Sequence, residues 1–239
     1  MATSTVEDYL KAILVEEQRD PESLVTTGRI AAACQVAPGT ATSMVKALAD
    51  GALVTYEPYS GVRLTDAGRQ LAAHVLRRHR LVELFLVEVL AMDWSEVHEE
   101  AERLEHAVSD DLIARIDEML GHPSVDPHGD PIPDAQGQVE EPDLASLATC
   151  PLGRPVRVAR VRDQTPDFLR LVERRGLMPG SRVTVEERDP AADTVALALG
   201  GGEERLSLGF RAASKILVEG AEADRPGAGQ GRHGLPQAP

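Results

Sequence analysis

The segment that most restricts the fold is a long run of helix-forming sequence, residues 66–91. Its apolar residues, among them Val75, Leu81 and Leu86, cover far more than the single stripe that a surface helix needs. A helix that is apolar on several sides has to be buried on several sides. We therefore expect this helix to pass from a first domain into a second domain or into a subunit interface.

The sequence before this helix predicts three shorter helices. Residues 4–18 have the apolar spacing of an amphipathic helix, which Ser4 and Glu7 would open as a capping box. Residues 26–50 indicate two short helices and a turn, with Pro38 in the first turn of the second helix. Small residues at the turn allow the two helices to cross closely. This pattern favours a helix-turn-helix, and a generic helical hairpin is the alternative.

Residues 53–65 add a β-hairpin, because two β-rich runs flank the turn sequence at 58–61. A helix-turn-helix followed by a hairpin and another helix is a winged helix, so we expect DNA binding. With no Arg or Asn on the recognition face, we expect phosphate contacts, methyl contacts and DNA shape to provide much of the readout. The candidate DNA contacts are Thr27, Pro38, Gly39, Thr40, Thr42, Ser43, Lys46, Tyr59 and Arg63.

Residues 94–106 predict a second informative helix, capped by Asp93 or Ser95. At about 100° per residue, Val97 and Ala101 lie on an apolar stripe that packs. A second stripe carries imidazoles and carboxylates, which are ligands for a borderline-to-hard divalent cation. An acidic solvated face with two incidental histidines is the alternative. The residues of this second stripe are His98, Glu102, Glu105 and His106.

Further ligand-compatible residues lie on either side of this helix. His79 and Glu83 stand four residues apart on the long helix, a spacing that is also common in surface contacts. Ser109 caps a helix that ends at Gly121. A loop rich in Pro, Gly and Asp follows; within it, Asp126 and His128 are either metal ligands or polar turn residues.

From Leu144 onward the sequence alternates as short strands do, with one helix at 166–175. This pattern predicts a small SH3-like β-barrel. Residues 221–239 lack a core-forming pattern, so we expect a disordered tail. The fold class is therefore mainly α with a small β module. The expected boundaries are 1–73 for the winged helix, 74–143 for the helical domain with its linker, and 144–220 for the β module.

Charge is distributed unevenly along the 239 residues. The net charge is −14, yet residues 81–150 contain 18 acidic and two basic residues, whereas residues 1–80 contain nine of each. The DNA-binding segment therefore escapes the general objection that an acidic protein binds nucleic acid poorly. Two cysteines exclude a disulfide framework. Without a signal peptide or a long apolar run, we expect a soluble, cytoplasmic protein that does not bind membranes.

The order of winged helix, acidic ligand-bearing helices and β module resembles the metal-dependent repressors of the diphtheria toxin repressor family. The resemblance extends to about Gly220, and its C-terminal module resembles the FeoA-like type. Its most specific parts are VEDYL (6–10), RRHRLVELFL (77–86), WSEVHEEAERLEH (94–106) and HPSVDPHGDPIP (122–133).

By this resemblance, the primary metal site consists of Asp8, Glu102, Glu105 and His106. The iron-responsive branch carries Met and Cys at the first two of these positions. Carboxylates there resemble the three-domain manganese-responsive branch and favour the harder ion Mn²⁺, with Fe²⁺ as the alternative. Short manganese repressors place a Glu where this chain has Lys11, so their closely spaced metal pair is not implied.

The resemblance also implies a second metal site, in one of two arrangements. The first uses His79, Glu83 and His98 with ligands added from the β module. The second uses Glu83 with the DPHG loop and an acidic residue of the β module. In this chain the loop residues of the second arrangement would be Asp126 and His128, and the acidic residue of the β module would be Asp163. One to two or more ions per subunit are therefore expected.

The implied function is metal-dependent DNA binding by a homodimer that represses metal-uptake genes from a palindromic operator. A metallohydrolase is excluded as far as motifs go, because His98-Glu99 is followed by Glu102 where an HExxH motif needs histidine. We therefore expect no enzyme. A metal-storage or interaction protein and a metal-independent winged-helix regulator stay open.

Overall fold

The structure is a computed structural model that describes residues 3–139, 141–200 and 204–220. It divides into two compact units. The first consists of Met1–Pro142 and Gln164–Arg170, and the second of Asp143–Asp163 and the chain from Leu171 onward.

The first unit contains six helices and one hairpin within its described residues. The helices are α1 (Ser4–Arg19), α2 (Thr27–Ala33), α3 (Pro38–Asp50), α4 (Asp66–Glu88), α5 (Val97–Leu104) and α6 (Asp110–Met119). The strands β1 (Val54–Glu57) and β2 (Gly61–Leu64) pair antiparallel. The predicted order of a winged helix followed by helices is confirmed.

Helix α1 is capped one residue earlier than predicted. Thr3, not Ser4, is the N-cap, and its side chain accepts a hydrogen bond from the Val6 N–H. The Glu7 side chain contacts His106 instead of closing a capping box. Leu10 and Ile13 are fully buried, so the apolar face of α1 packs into the winged-helix core.

Helix α3 begins with Pro38 in its first turn, as predicted, and Val45 and Leu48 face the core. The wing is attached to the helix-turn-helix by a β-bridge between Val25 and Val62. A side chain at Gly61 would place its Cβ 2.6 Å from the Val25 carbonyl oxygen, so this close approach requires glycine.

Helix α4 supplies residues to two separate cores, which confirms that it is buried on more than one side. Its N-terminal half packs with α1, α3 and the wing, and its C-terminal half packs with α5 and α6. The helix ends three residues before the predicted position, where Ala91 takes a φ of 53°. The α4 residues of the first core are Ala72, Ala73 and Leu76, and those of the second are Leu81, Val82 and Leu86.

Helix α5 is shorter than the predicted helix over 94–106. Asp93 accepts hydrogen bonds from the Ser95 N–H and hydroxyl, which forms a turn before the helix instead of a cap. The helix therefore begins at Val97, and Glu105 and His106 lie on the turn that follows Leu104. The predicted apolar stripe is confirmed, since Val97 is fully buried.

The second unit contains a six-stranded antiparallel sheet in the order β3-β8-β4-β5-β6-β7. Its strands are β3 (Ala145–Ser146), β4 (Pro155–Val161), β5 (Arg182–Asp189), β6 (Thr194–Leu199), β7 (Glu204–Leu208) and β8 (Ile216–Gly220). Helix α7 (Pro166–Arg174), which belongs to the first unit up to Arg170, was predicted, whereas the single turn of α8 (Phe210–Ala213) was not. The small β module is confirmed.

No helix in the described part of the chain is long and apolar enough to cross a membrane. The predicted tail at 221–239 lies outside the described residues.

Candidate metal centre

The ligand-type side chains come from three helices of the first unit, from the turn after α5 and from the DPHG loop at 126–129. The apolar face of α1 is buried, which leaves Asp8 on its half-exposed side. His79 and Glu83 lie on successive turns of α4, and both side chains are buried. His98 and Glu102 lie on successive turns of α5.

One cluster joins α1 to the turn after α5. The Nε2 atom of His106 lies 2.7 Å from Asp8 Oδ1 and 3.3 Å from Glu105 Oε1. Its Nδ1 atom lies 2.8 Å from Glu7 Oε2. Asp8, Glu105 and His106 can present one ligand atom each within 4.8 Å of one another, which suits a single cation.

Burial lowers the pKa of His106, but hydrogen bonds with Glu7 and Asp8 and the charge of Glu105 outweigh it and raise the pKa. Each ring nitrogen lies within hydrogen-bond distance of a carboxylate oxygen, which accepts, so the geometry places both nitrogens as donors in the metal-free chain. A metal ion would have to replace one of these protons.

Lys11 is the unexpected member of this cluster. Its ammonium lies 2.8 Å from Glu102 Oε1 and 2.6 Å from Glu105 Oε1. Burial lowers the pKa of Lys11, but the charges of Glu105 and Glu102 outweigh it and raise the pKa. Lys11 thus holds two of the predicted ligands as a charged ammonium.

A second cluster centres on His79. Its Nδ1 atom lies 2.6 Å from Glu105 Oε2, and its Nε2 atom lies 3.0 Å from Glu83 Oε1 and 3.2 Å from His98 Nδ1. Burial lowers the pKa of His79, but the charge of Glu83 and hydrogen bonds with Glu105 and Glu83 raise it to about 10. An imidazolium at His79 therefore lies between two buried carboxylates.

A third cluster combines Glu83 with the DPHG loop. Glu83, Asp126 and His128 are all buried and can present ligand atoms within 4.8 Å of one another. His128 Nε2 lies 2.8 Å from the Trp94 carbonyl oxygen, which can only accept, so Nε2 carries the proton. In the neutral form of the ring, the Nδ1 atom of His128 then carries a free lone pair. It is buried without a hydrogen-bond partner in the described chain.

This unpartnered nitrogen indicates that a cation fits the third cluster. A lone pair beside two carboxylates lacks any donor, and a buried polar atom without a partner is unfavourable. A carbonyl that fixes the tautomer of a histidine is also the usual support for a metal ligand. Burial, Asp130 and Glu83 raise the pKa of Asp126 well above its usual range, although the guanidinium of Arg80, 3.8 Å from the Asp126 carboxylate, lowers it.

The structure thus brings most of the predicted ligands into overlapping clusters, in which Glu105, Glu83 and His79 are shared. Glu102 groups with His79 and Glu105, and not directly with Asp8 and His106. Asp163 lies in the second unit, where its carboxylate pairs with Lys215 at 2.5 Å. Sequence reasoning missed Glu7 and Lys11 as neighbours of the ligands. Their spacing was the available signal, since both lie on α1 within one turn of Asp8.

The predicted DNA contacts form an exposed surface on α3 and the wing. Gly39, Thr40 and Lys46 are exposed, and Tyr59 is fully exposed at the wing tip with a φ of 69°. Pro38 and Ser43 are exposed as well, whereas Thr27 and Thr42 are half-buried. The hydroxyls of Thr42 and Ser43 donate to the carbonyls of Pro38 and Gly39, four residues earlier.

Arg63 differs from the other predicted contacts. Its guanidinium donates to the backbone carbonyls of Pro21, at 3.0 Å, and Ser23, at 3.3 Å. Arg63 therefore fastens the wing to the loop between α1 and α2. A phosphate contact would have to share a guanidinium that is already bound.

Three family models match the chain. The N-terminal DNA binding domain of the iron dependent repressors matches residues 1–62, and their metal binding and dimerisation domain matches residues 65–134. The FeoA domain matches residues 145–220.

Relatives match over nearly the whole chain. The iron-dependent repressor IdeR of Mycobacterium tuberculosis (strain ATCC 25618 / H37Rv) is 32% identical over 228 residues, which cover 90% of this chain and 96% of the relative. The diphtheria toxin repressor of Corynebacterium diphtheriae is 29% identical over 197 residues, 77% of this chain and 85% of that protein.

Solved structures of similar proteins also match the chain over most of its length. A manganese-dependent transcriptional repressor in complex with manganese has a TM-score of 0.81 and 43% identity, covering 89% of this chain and 98% of its own. The manganese regulator SloR has a TM-score of 0.72 and 33% identity, covering 90% and 98%. The predicted family and three-domain fold are confirmed. The chain belongs to the diphtheria toxin repressor family of metal-dependent transcriptional repressors.

Proposed function

We propose that this chain is a manganese-responsive repressor that binds a palindromic operator as a homodimer and represses metal-uptake genes when the metal is plentiful. The observation that carries the proposal is the convergence of Asp8, on the first helix of the winged-helix domain, with Glu105 and His106. These ligands connect the DNA-binding domain to the helices that follow it. We keep 1–73, 74–143 and 144–220 as the proposed domain boundaries.

The proposed primary site consists of Asp8, Glu102, Glu105 and His106. A bound divalent ion would supply the positive charge that holds these carboxylates and the imidazole together. As a ligand, His106 would offer an unprotonated ring nitrogen, and Asp8 would hold the N-terminal half of α1 against the end of α5.

The C-terminal half of α1 carries this position to the DNA-binding surface. Glu16 pairs with Arg29 of α2 at 2.5 Å. Glu17 is buried and accepts a hydrogen bond from the Leu64 N–H of the wing at 2.7 Å. Since the helix-turn-helix and the wing are both bonded to α1, fixing α1 fixes them too. In a homodimer, this sets the spacing of two recognition helices against half-sites about one helical turn apart.

For the second site we favour Glu83, Asp126 and His128 over Glu83, His79 and His98. The Nδ1 lone pair of His128 has no partner in the described chain, whereas both ring nitrogens of His79 already contact carboxylates. Two ions per subunit follow from one ion at each proposed site. Asp163 stays a prediction from the family resemblance.

The preference for manganese rests on hard ligands. Asp8 and Glu102 offer oxygen where the iron-responsive branch carries sulfur, and oxygen ligands suit Mn²⁺. The names of two similar solved structures point the same way. Iron is the second candidate, because IdeR is named as iron-dependent and covers this chain almost completely. We also infer that the chain is not an enzyme, in keeping with its family.

DNA binding tests this function directly. The target is the region upstream of the gene itself and of candidate metal-transporter genes. It is titrated with chelator, Mn²⁺ or anaerobic Fe²⁺ at one salt concentration, because affinity for DNA depends on salt. We expect binding only with metal, and at lower Mn²⁺ than Fe²⁺. An equal response to both ions would contradict the preference for manganese.

Two variants test the primary site. Glu102→Ala and His106→Ala should lose metal-dependent DNA binding, whereas the exposed Glu99→Ala on the same helix should retain it. Intact metal-dependent binding in both site variants would overturn the proposed site. Binding without any metal would leave a metal-independent winged-helix regulator.

A further inference from the structure

Lys11 supplies one of the positive charges that neutralise the proposed primary site in the metal-free chain. Its ammonium lies 2.8 Å from Glu102 and 2.6 Å from Glu105, and its side chain is 10% exposed. Both hydrogen bonds that the ammonium makes within the described chain are to these two carboxylates. Glu105 is fully buried, so without a counter-charge its ionised form would be strongly unfavourable.

We propose that Lys11 is an internal counter-cation that occupies the carboxylates of the primary site until a divalent ion displaces it, and so sets the metal concentration at which the repressor responds. This inference rests on the proposed function. It adds a residue that determines the response without being a ligand.

Displacement follows from the oxygen atoms involved. Lys11 is bonded to Oε1 of Glu102 and Oε1 of Glu105, and Glu105 Oε2 contacts His79. Both oxygens of Glu105 are therefore engaged before any metal binds. Two positive charges that share the same carboxylates repel each other, and the repulsion is strong where water is excluded. A divalent ion bound there must push the ammonium away.

The chemistry of lysine suits this role. Its charge sits on a flexible four-carbon stem, and an ammonium is strongly hydrated. The ammonium can therefore withdraw toward water when the carboxylates take another partner. An arginine would hold the carboxylates through a planar fork and would be harder to displace.

Lys11 also ties together the same elements as the proposed ligands. It lies on α1, one turn after Asp8, and its partners lie on α5 and on the turn that follows. In the metal-free chain the ammonium thus stabilises this junction. Removing Lys11 should therefore have two effects. It should lower the stability of the metal-free protein, and it should strengthen its metal binding.

The test compares Lys11→Gln with the wild type in two measurements on the full-length chain. Mn²⁺ affinity, measured by competition with a fluorescent chelator, should tighten about tenfold, which corresponds to roughly 1.4 kcal/mol, since no ammonium competes for the carboxylates. The melting temperature of the chelator-treated protein should fall by several degrees. Lys11→Arg should restore the melting temperature and bind Mn²⁺ no more tightly than the wild type.

Matched variants separate this inference from the proposed function. Arg103 is an exposed residue of α5 whose guanidinium pairs only with Glu99 and Glu100 in the described chain. Arg103→Gln removes this positive charge and should leave Mn²⁺ affinity unchanged. If Lys11→Gln binds Mn²⁺ as the wild type does or more weakly, while Glu102→Gln still weakens binding, the role of Lys11 is wrong and the site stands. If Glu102→Gln has no effect on Mn²⁺ binding, the proposed site itself fails.

Discussion

At the scale of single residues, the site is a set of carboxylates held by internal cations. His79, His106 and Lys11 each place their nitrogen atoms against two carboxylates. Charged partners of this kind satisfy buried acids that would otherwise be unfavourable. A metal-responsive site can therefore be folded before it is loaded, and loading exchanges protons and an ammonium for metal.

His79 gives the metal-free protein a defined dependence on pH. Its pKa is raised from about 6.5 in an unfolded chain to about 10 in the fold. A raised pKa contributes stability that is fully present below the unfolded value and is lost as pH rises through the folded value. We expect the chelator-treated protein to lose stability between about pH 7 and pH 10 in urea unfolding.

The control for this expectation is His79→Gln, which removes the titrating ring. The variant should be less stable at pH 7, and its stability should change less between pH 7 and pH 10 than that of the wild type. An equal change in both proteins would show that other groups cause the pH dependence.

Sequence reasoning at this scale identified ligand types but not their pairing. The periodicity of α5 placed His98 and His106 on one face, yet His98 lies against His79 and His106 lies against Asp8. The difference depends on where α5 ends and on how α4 crosses it. Neither property is encoded in local spacing.

At the scale of elements, α1 connects the metal centre to the DNA-binding surface. Its first half carries Asp8 and Lys11, and its last turns carry Glu16 and Glu17. Glu17 pairs with Arg69 of α4 and accepts from the wing, so one buried carboxylate joins three elements. Helix α1 therefore connects the proposed metal site directly to the wing.

Glu17→Ala should separate metal binding from the DNA response. It leaves the Leu64 N–H without an acceptor and removes the pair with Arg69, so we expect a loss of about 1–3 kcal/mol in the free energy of unfolding. Mn²⁺ affinity should change little, while the gain in DNA affinity caused by Mn²⁺ should shrink. Urea unfolding and DNA-binding titrations measure these quantities.

Two variants control this experiment. Glu17→Gln keeps an acceptor oxygen and should lose less stability than the alanine variant. Glu22→Ala changes an exposed side chain and should behave as the wild type. A full DNA response in Glu17→Ala would argue against transmission through α1.

Most element types and their order were predictable because periodicity and turn residues are local. Helix ends were harder. The early end of α4 at Glu88 depends on the backbone of Ala91, and the early end of α5 accompanies the anchoring of His106 on α1. These ends are decided by tertiary contacts that local preferences do not include.

At the scale of the whole molecule, the acidic residues are concentrated in the segment that carries most of the candidate ligands, and not in the DNA-binding segment. Within the acidic segment 81–150, the helix over 94–106 was expected either to bind a cation or to present an acidic solvated face. Glu83, Glu105 and Asp126 from this segment are buried, whereas Glu99 is exposed. The buried acids are therefore the candidate ligands, whereas the exposed ones are solvated. Composition could not separate them, because burial depends on how α4, α5 and the DPHG loop pack.

The central claim is that metal increases DNA affinity through the link between Asp8 and the end of α5. The most direct measurement is the ratio of DNA dissociation constants without and with Mn²⁺, at one salt concentration, for the wild type and Asp8→Ala. We expect a ratio of at least about fivefold in the wild type, within the usual range of allosteric coupling. In Asp8→Ala the ratio should fall close to one, with metal-free DNA affinity unchanged. A ratio in Asp8→Ala equal to that of the wild type would contradict the account.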